Sequence, residues 1–260
     1  MHIAVVGLGE AGSIYAADLA ARGATVTGTD PRVDAGPEGV VVRPDIAAAV
    51  RGAALVLSLV GADAAASVFA EAAPAMPAGG VFADMNTNSP EAKRRLAAEA
   101  AERGIPFVDV AILAPVPRAR IDTPLLLSGT GAHRLTLLLN EVGIGATVVD
   151  GEAGAAAQLK LLRSVFMKGL AAVVYESAEA ADAVGARQWV LDQIAAELGT
   201  GGDEVVRHLL EGTAKHAVRR ETEMREVRTM LVALGARHSV TDGTIEWMRV
   251  LAERSGHAAG

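Results

Sequence analysis

Three glycines open the chemistry of this chain. They stand in Gly7-Leu8-Gly9-Glu10-Ala11-Gly12, directly after the apolar run His2-Ile3-Ala4-Val5-Val6. A strand that ends in this spacing and feeds a helix is the pattern of a dinucleotide-binding turn. Gly7 permits the tight turn, Gly9 lets backbone approach a pyrophosphate, and Gly12 allows close helix–strand packing. The helix start supplies unpaired N–H groups and positive potential for phosphate. The bland alternative is an ordinary Gly-rich strand–helix turn. All six residues of the turn, Gly7 to Gly12, are candidate cofactor contacts, with Val60 at the end of the run 54–60 as a further one. Asp30 follows 23 residues after Gly7. A carboxylate there accepts ribose hydroxyls and disfavours an additional 2′-phosphate, which favours NAD. Arg32 keeps NADP open, and Asp30 as a simple turn former before Pro31 stays open too.

Two further groups carry polar chemistry. Asp84-Met85-Asn86-Thr87-Asn88-Ser89-Pro90 lies just past the apolar run 80–83, where the carboxyl ends of strands hold ligands in open α/β sheets. Asn86 and Thr87 are candidate substrate or nicotinamide contacts. Helix capping by Ser89 explains the end of this segment but not the whole cluster. Lys160, Ser164 and Lys168 recur every four residues, so they share one helix face. A lysine so placed can exchange a proton with a reacting oxygen. A solvated lysine face is the alternative on spacing alone.

Composition bounds the classes. The 260 residues carry a net charge of −7, an unfavourable balance for nucleic acid or anionic membrane. There is no cysteine, which excludes thiol catalysis, disulfides and thiolate metal sites, and agrees with a reducing cytoplasm. The six histidines show no metal-ligand spacing, so no metal is expected, and no G-x-S-x-G elbow marks a serine hydrolase. The longest stretch without a charged residue is 72–83, too short to span a bilayer, which takes about 18 apolar residues. The first residues show no secretory pattern.

The elements that must position these groups follow from the apolar pattern. Runs at 2–6, 24–29, 39–42, 54–60, 80–83, 106–111, 124–128 and 145–150 alternate with helical stretches at 10–22, 62–73, 89–103 and 131–142. Several runs are continuously apolar, as in strands buried on both faces. This predicts an α/β Rossmann-type domain over 1–150 with a mostly parallel, doubly wound sheet. Residues 151–260 carry no further strand pattern and predict an all-helical domain. It begins with one long helix over 153–183, in which Leu159, Leu162, Phe166, Leu170 and Val173 form an apolar stripe. Further helices are expected at 187–198, 203–234 and 242–254.

These motifs together resemble the β-hydroxyacid dehydrogenase superfamily, which includes 6-phosphogluconate and 3-hydroxyisobutyrate dehydrogenases. The Gly7–Gly12 turn matches the cofactor turn of that family. The 84–90 segment resembles its substrate loop and implies that Asn86 and Thr87 meet substrate and nicotinamide. Asp109-Val110-Ala111-Ile112-Leu113-Ala114-Pro115-Val116 stands where the family has a second substrate segment, although the Ser-Gly-Gly that follows there is missing. Gly154 and Lys160 match the motif whose lysine is the general acid/base; Ser164 replaces the usual asparagine four residues on. The C-terminal string from Lys215 to Met224 resembles a subgroup with a short helical domain of unassigned function. The resemblance implies an NAD(P)-dependent oxidoreductase acting on a β-hydroxyacid-like alcohol. Lys160 is then catalytic and Ser164 and Lys168 bind substrate. It also implies a homodimer. Arg118, Arg120, Arg163 and Lys168 point to a small carboxylate- or phosphate-bearing substrate. Imine reduction, oxidative decarboxylation and dinucleotide sensing without turnover are the alternatives.

Overall fold

A computed structural model describes residues 1–257. The chain divides into two compact units, Met1–Lys160 and Leu161–Gly260. The division falls ten residues beyond the change of texture near 150, inside the long helix, because the first turns of that helix hydrogen-bond to strands of the first unit.

The first unit runs β1 (His2–Val6), α1 (Glu10–Ala21), β2 (Thr25–Thr29), β3 (Val40–Val42), α2 (Ile46–Val50), β4 (Leu55–Ser58), α3 (Ala65–Ala72), β5 (Val81–Asp84), α4 (Pro90–Glu102), β6 (Phe107–Ile112), α5 (Val116–Ala119), β7 (Leu125–Ser128), α6 (Ala132–Glu141) and β8 (Thr147–Val148). The eight strands form one sheet in the order 3-2-1-4-5-6-7-8. All pairings are parallel except β6 with β7. This is the expected doubly wound, mostly parallel sheet. Alternate strand residues face opposite layers. Ile3, Val5, Leu55 and Leu57 pack on one side with Tyr15, Leu19, Leu135 and Leu139. Ala4, Val6, Val56, Phe82 and Phe107 pack on the other with Val50, Phe69 and Leu96. On that second side Phe69 meets Phe82 edge-on at 5.0 Å, and Phe82 stacks with Phe107 at 6.1 Å. Both sheet edges are very short: β3 has three residues and β8 has two.

The second unit continues α7 (Ala155–Asp182) past residue 160 and adds α8 (Arg187–Glu197), α9 (Gly202–Lys215), α10 (Ala217–Ala233) and α11 (Ser239–His257). Its regular structure is helical throughout the described residues, as expected. The single helix expected over 203–234 is two helices, broken at His216. Unbroken, it would extend about 48 Å. The break lets Val206 and Leu209 pack with Ala171 and Ala195, while Met224, Val227 and Leu231 pack with Leu161. The apolar stripe of α7 is mostly not a buried face. Leu159, Leu162, Phe166 and Val173 are exposed, Phe166 at 67%. The small residues Ala171, Ala172 and Ala178 are buried instead, because Cβ-only side chains let neighbouring helices approach closely.

Candidate functional site

The glycine turn sits at the topological switch of the sheet, where β1 lies between β2 and β4. Chain direction fixes its geometry: the Gly7 amide donates to the Thr29 carbonyl at 2.9 Å and the Leu59 amide to the Val6 carbonyl at 2.8 Å. Gly7 has φ +93°, and a Cβ on it would lie 2.4 Å from the Leu59 oxygen. A Cβ on Gly12 would lie 1.8 Å from the Gly7 oxygen. Both positions therefore admit only glycine. A Cβ on Gly9 would meet nothing within 4 Å, so here the missing side chain leaves the helix start open. Gly9 is the N-cap of α1 and no side chain caps that helix. The first-turn amides of Glu10 and Ala11 thus lack intrahelical acceptors. An uncapped, open helix start at the carboxyl ends of β1 and β4 fits a dinucleotide pyrophosphate.

Leu8 is used differently from its neighbours. Its side chain is buried against Gly28, and its amide donates to Asp30 Oδ2 at 3.0 Å. Asp30 Oδ1 accepts from the Arg32 amide at 2.9 Å. Asp30 is thereby held rigidly at the end of β2 with lone pairs to spare. Arg32, whose side chain is 88% exposed, reaches Asp30 only at 3.8 Å.

The loop after β5 is built from buried hydrogen bonds. Asn86 Oδ1 accepts from the Val60 amide at 2.7 Å. Asn86 Nδ2 donates to Asp84 Oδ1 at 2.6 Å and to Ser58 Oγ at 3.0 Å. Val60 and Asn86 are therefore one fixed unit rather than two independent contacts. Ser89 caps α4, accepting from the Ala92 amide at 3.2 Å, as its sequence suggests. Lys160 Nζ donates to Thr87 Oγ1 at 2.9 Å. Asn86, Thr87 and Lys160 thus meet in the first unit, at the carboxyl edge of the sheet.

Ser164 and Lys168 lie in the second unit and form their own cluster. Lys168 Nζ donates to Ser164 Oγ at 3.0 Å and pairs with Glu223 Oε2 at 3.0 Å. Burial pushes the Lys168 ammonium below its ordinary range, and Glu223 opposes that shift. Glu223 also accepts from Arg219 at 2.7 Å. Arg120, one of the cations expected at the substrate, is committed elsewhere: with φ +52° it pairs with Asp18 on α1. Among the described residues no group of three or more His, Asp or Glu could hold a metal, and no helix is long and apolar enough to cross a membrane.

Sequence reasoning missed Lys93, Ser58 and Ser128 and named Asp109 only as the start of a resembled substrate segment; all four are buried. The signal was available. Lys93 shares a helix stripe with Leu96 and Ala100, and Asp109 interrupts an apolar run; buried charges of opposite sign must find each other.

A profile of the NAD binding domain of 6-phosphogluconate dehydrogenase matches residues 2–156. The chain belongs to this family. Residues 181–251 match a domain of unknown function, DUF1932. A conserved hypothetical protein from Sinorhizobium meliloti is 31% identical, with 96% of this chain and 87% of that one covered, at a TM-score of 0.75. The 3-hydroxyisobutyrate dehydrogenase of Mycobacterium tuberculosis, solved with L-serine, is 20% identical over 98% of this chain and 94% of that one, with a TM-score of 0.79. An imine reductase from Myxococcus stipitatus with NADP+ is 18% identical over 98% and 95%, with a TM-score of 0.62. These last two are likenesses of fold. An uncharacterised 28.5 kDa protein of Methanothermus fervidus is 27% identical over 154 residues, so the match spans 59% of each chain. The fold is that of the hydroxyacid dehydrogenase-like, NAD(P)-binding proteins.

Proposed function

We propose that this chain is a cytoplasmic NAD(P)-dependent oxidoreductase. It acts on the CH–OH group of a small, carboxylate- or phosphate-bearing β-hydroxyacid, with Lys160 as general acid/base. The observation that carries this reading is the Lys160–Thr87 hydrogen bond at the carboxyl edge of the sheet, in the same unit as the open glycine turn. The backbone at Gly9, Glu10 and Ala11 would hold the pyrophosphate, and Asp30 the adenosine ribose. Asp30 accepts hydroxyls readily and repels a 2′-phosphate, so NAD is the proposed cofactor over NADP. A bound nicotinamide supplies the hydride donor or acceptor. Lys160 Nζ takes the substrate hydroxyl proton in oxidation and returns it in reduction. Thr87 fixes the direction of Nζ. Asn86 keeps the loop in one conformation through its bonds to Val60 and Asp84. The M. tuberculosis protein named above is a dehydrogenase of a β-hydroxyacid and was solved with L-serine, itself a β-hydroxyacid. That supports the substrate class.

We also propose a homodimer formed through the second unit. Phe166, Val173, Trp189, Val218 and Val240 are each more than half exposed there, apolar side chains of the kind that a second copy would cover.

Titration of NADH and NADPH fluorescence, followed by a panel of phosphorylated and unphosphorylated hydroxyacids, tests the reading. Lys160→Met is expected to bind NADH within about twofold of the parent and to lose about 10³-fold or more in kcat. Near-parental turnover in that variant removes Lys160 from the mechanism. Preference for neutral alcohols would overturn the anionic substrate.

A further inference from the structure

The strand register places Ser58, Asp84, Asp109 and Ser128 side by side across β4, β5, β6 and β7. All four are fully buried. They continue the face that carries Val56, Phe82 and Phe107 two residues earlier on their strands. A layer that is aromatic and aliphatic along most of its length thus gives way to a polar row that lies at the carboxyl ends of β4 and β5 and crosses the middle of β6. Helix α4 covers this face and sends Lys93 into the row. Lys93 Nζ lies 3.0 Å from Asp84 Oδ2, 3.4 Å from Asp109 Oδ1 and 2.8 Å from the Asp84 carbonyl oxygen. Lys93 is 1% exposed and both aspartates 0%.

The two ends of the row reach different functional elements. At one end Ser58 and Asp84 accept both Asn86 Nδ2 hydrogen bonds, and Asp84 also accepts from the Asn86 amide at 3.1 Å. At the other end Asp109 Oδ2 accepts from the amides of Gly154 at 3.0 Å and Ala157 at 2.9 Å. Ser128 Oγ donates to the same carboxylate oxygen and accepts from the Ala156 amide at 3.1 Å. Those three amides are the start of α7, the helix that presents Lys160 one turn later. A Cβ on Gly154 would sit 2.6 Å from the Pro90 carbonyl, so the starts of α4 and α7 touch backbone to backbone.

We propose that Lys93 is a positioning residue. Through Asp84 and Asp109 it holds the Asn86–Thr87 loop and the start of α7 in a single register, and so sets where Lys160 Nζ stands. This rests on the reading of Lys160 as the acid/base. The physical warrant is cost. Two buried carboxylates and one buried ammonium are an expensive choice where an apolar residue would pack as well. Asp84 Oδ2 and Asp109 Oδ1 accept no hydrogen bond and are met by the Lys93 ammonium as ion pairs, so that one cation is what ties the two carboxylates together.

The test uses the full chain with Lys93→Met, which keeps length and removes charge, and Lys93→Arg, which keeps charge. Amide hydrogen exchange reads positioning without turnover. In Lys93→Met the amides of Val60 and Asn86 and those of Gly154, Ala156 and Ala157 are all expected to exchange about tenfold faster or more. Leu96→Ala, a cavity on the same helix stripe, serves as the control for general loosening. Kinetically, kcat should fall about 10²-fold with KM for NADH nearly unchanged, and Lys93→Arg should recover part of it. If Lys93→Met does not fold, Asp109→Asn must still raise exchange at Val60 and Asn86, the far end of the row. Exchange that rises at one end only, or only as far as in Leu96→Ala, overturns the proposal. A parental kcat in folded Lys93→Met overturns it as well, while an inactive Lys160→Met leaves the acid/base reading standing. Parental turnover in Lys160→Met sinks that reading instead, and the exchange result still decides whether the row sets the register.

Discussion

The two units use their phenylalanines in opposite ways. The first buries them: Phe69, Phe82 and Phe107 form a ring cluster under a sheet covered on both faces. The second leaves Phe166 and Trp189 outside and builds two small clusters from aliphatic residues such as Leu209, Met224 and Leu231. A sheet with helices on both sides is a closed solution to burial, because every apolar face already has a partner. Five helices with two small clusters at their centre are not closed in that sense. The difference teaches that apolar residues can be enclosed by the chain itself in one part of a molecule and left facing outward in another.

Substitutions can break or sharpen this contrast. The largest effect is expected from Phe82→Ala, which removes a fully buried ring and should lower unfolding free energy by about 3–5 kcal/mol in urea titration. The matching Phe166→Ala should leave a dilute, monomeric sample within about 0.5 kcal/mol of the parent. If it costs as much as Phe82→Ala, the Phe166 ring belongs to the core of the second unit and the contrast fails. Next in size is Phe166→Asp. Placed in the proposed dimer face, it should weaken association about 100-fold, or about 2.7 kcal/mol, in sedimentation velocity across concentrations. An unchanged dissociation constant would move the interface elsewhere.

The smallest effect sharpens the picture of the first unit. Tyr15 is 1% exposed and its hydroxyl has no hydrogen-bond partner. Tyr15→Phe should therefore be neutral or stabilising, by up to about 1 kcal/mol. It also has a pH signature. Burial, and then Asp122, hold the Tyr15 phenol above its usual value of 10.0. The folded state keeps a proton that the unfolded chain gives up, so stability is full below pH 10 and falls as pH rises beyond it. The phenylalanine variant should lack that part of the alkaline loss. Parallel alkaline curves for the two proteins would show that the hydroxyl ionises equally in both states.

Much of the first unit was legible because its signals are local. The apolar runs locate every strand, the glycine spacing locates the turn, and Ser89 announces its own cap. Gly23 and Gly104 end helices at positive φ, as their positions suggest. The five-residue α2, capped by Asp45, is too short to show a period. The polar row escaped notice because it is made by register. Ser58, Asp84, Asp109 and Ser128 are far apart in sequence and become neighbours only once strands pair. The second unit was less legible for another reason. A helical period shows which residues share a face but not whether that face is covered by the same chain, and the spacing of the α7 stripe does not tell that most of it is exposed. The break at His216 carries no glycine or proline, and only the packing of α9 and α10 reveals it.

The brevity of the outer strands β3 and β8 bears on how this protein behaves in concentrated solution. A long exposed edge is a template for another sheet, and a margin of two or three residues offers too little backbone to recruit one. Concentration should therefore drive this chain along a helical route of self-association. Its far-ultraviolet circular dichroism should keep its shape as oligomers form, and dyes that report cross-β structure should stay dark.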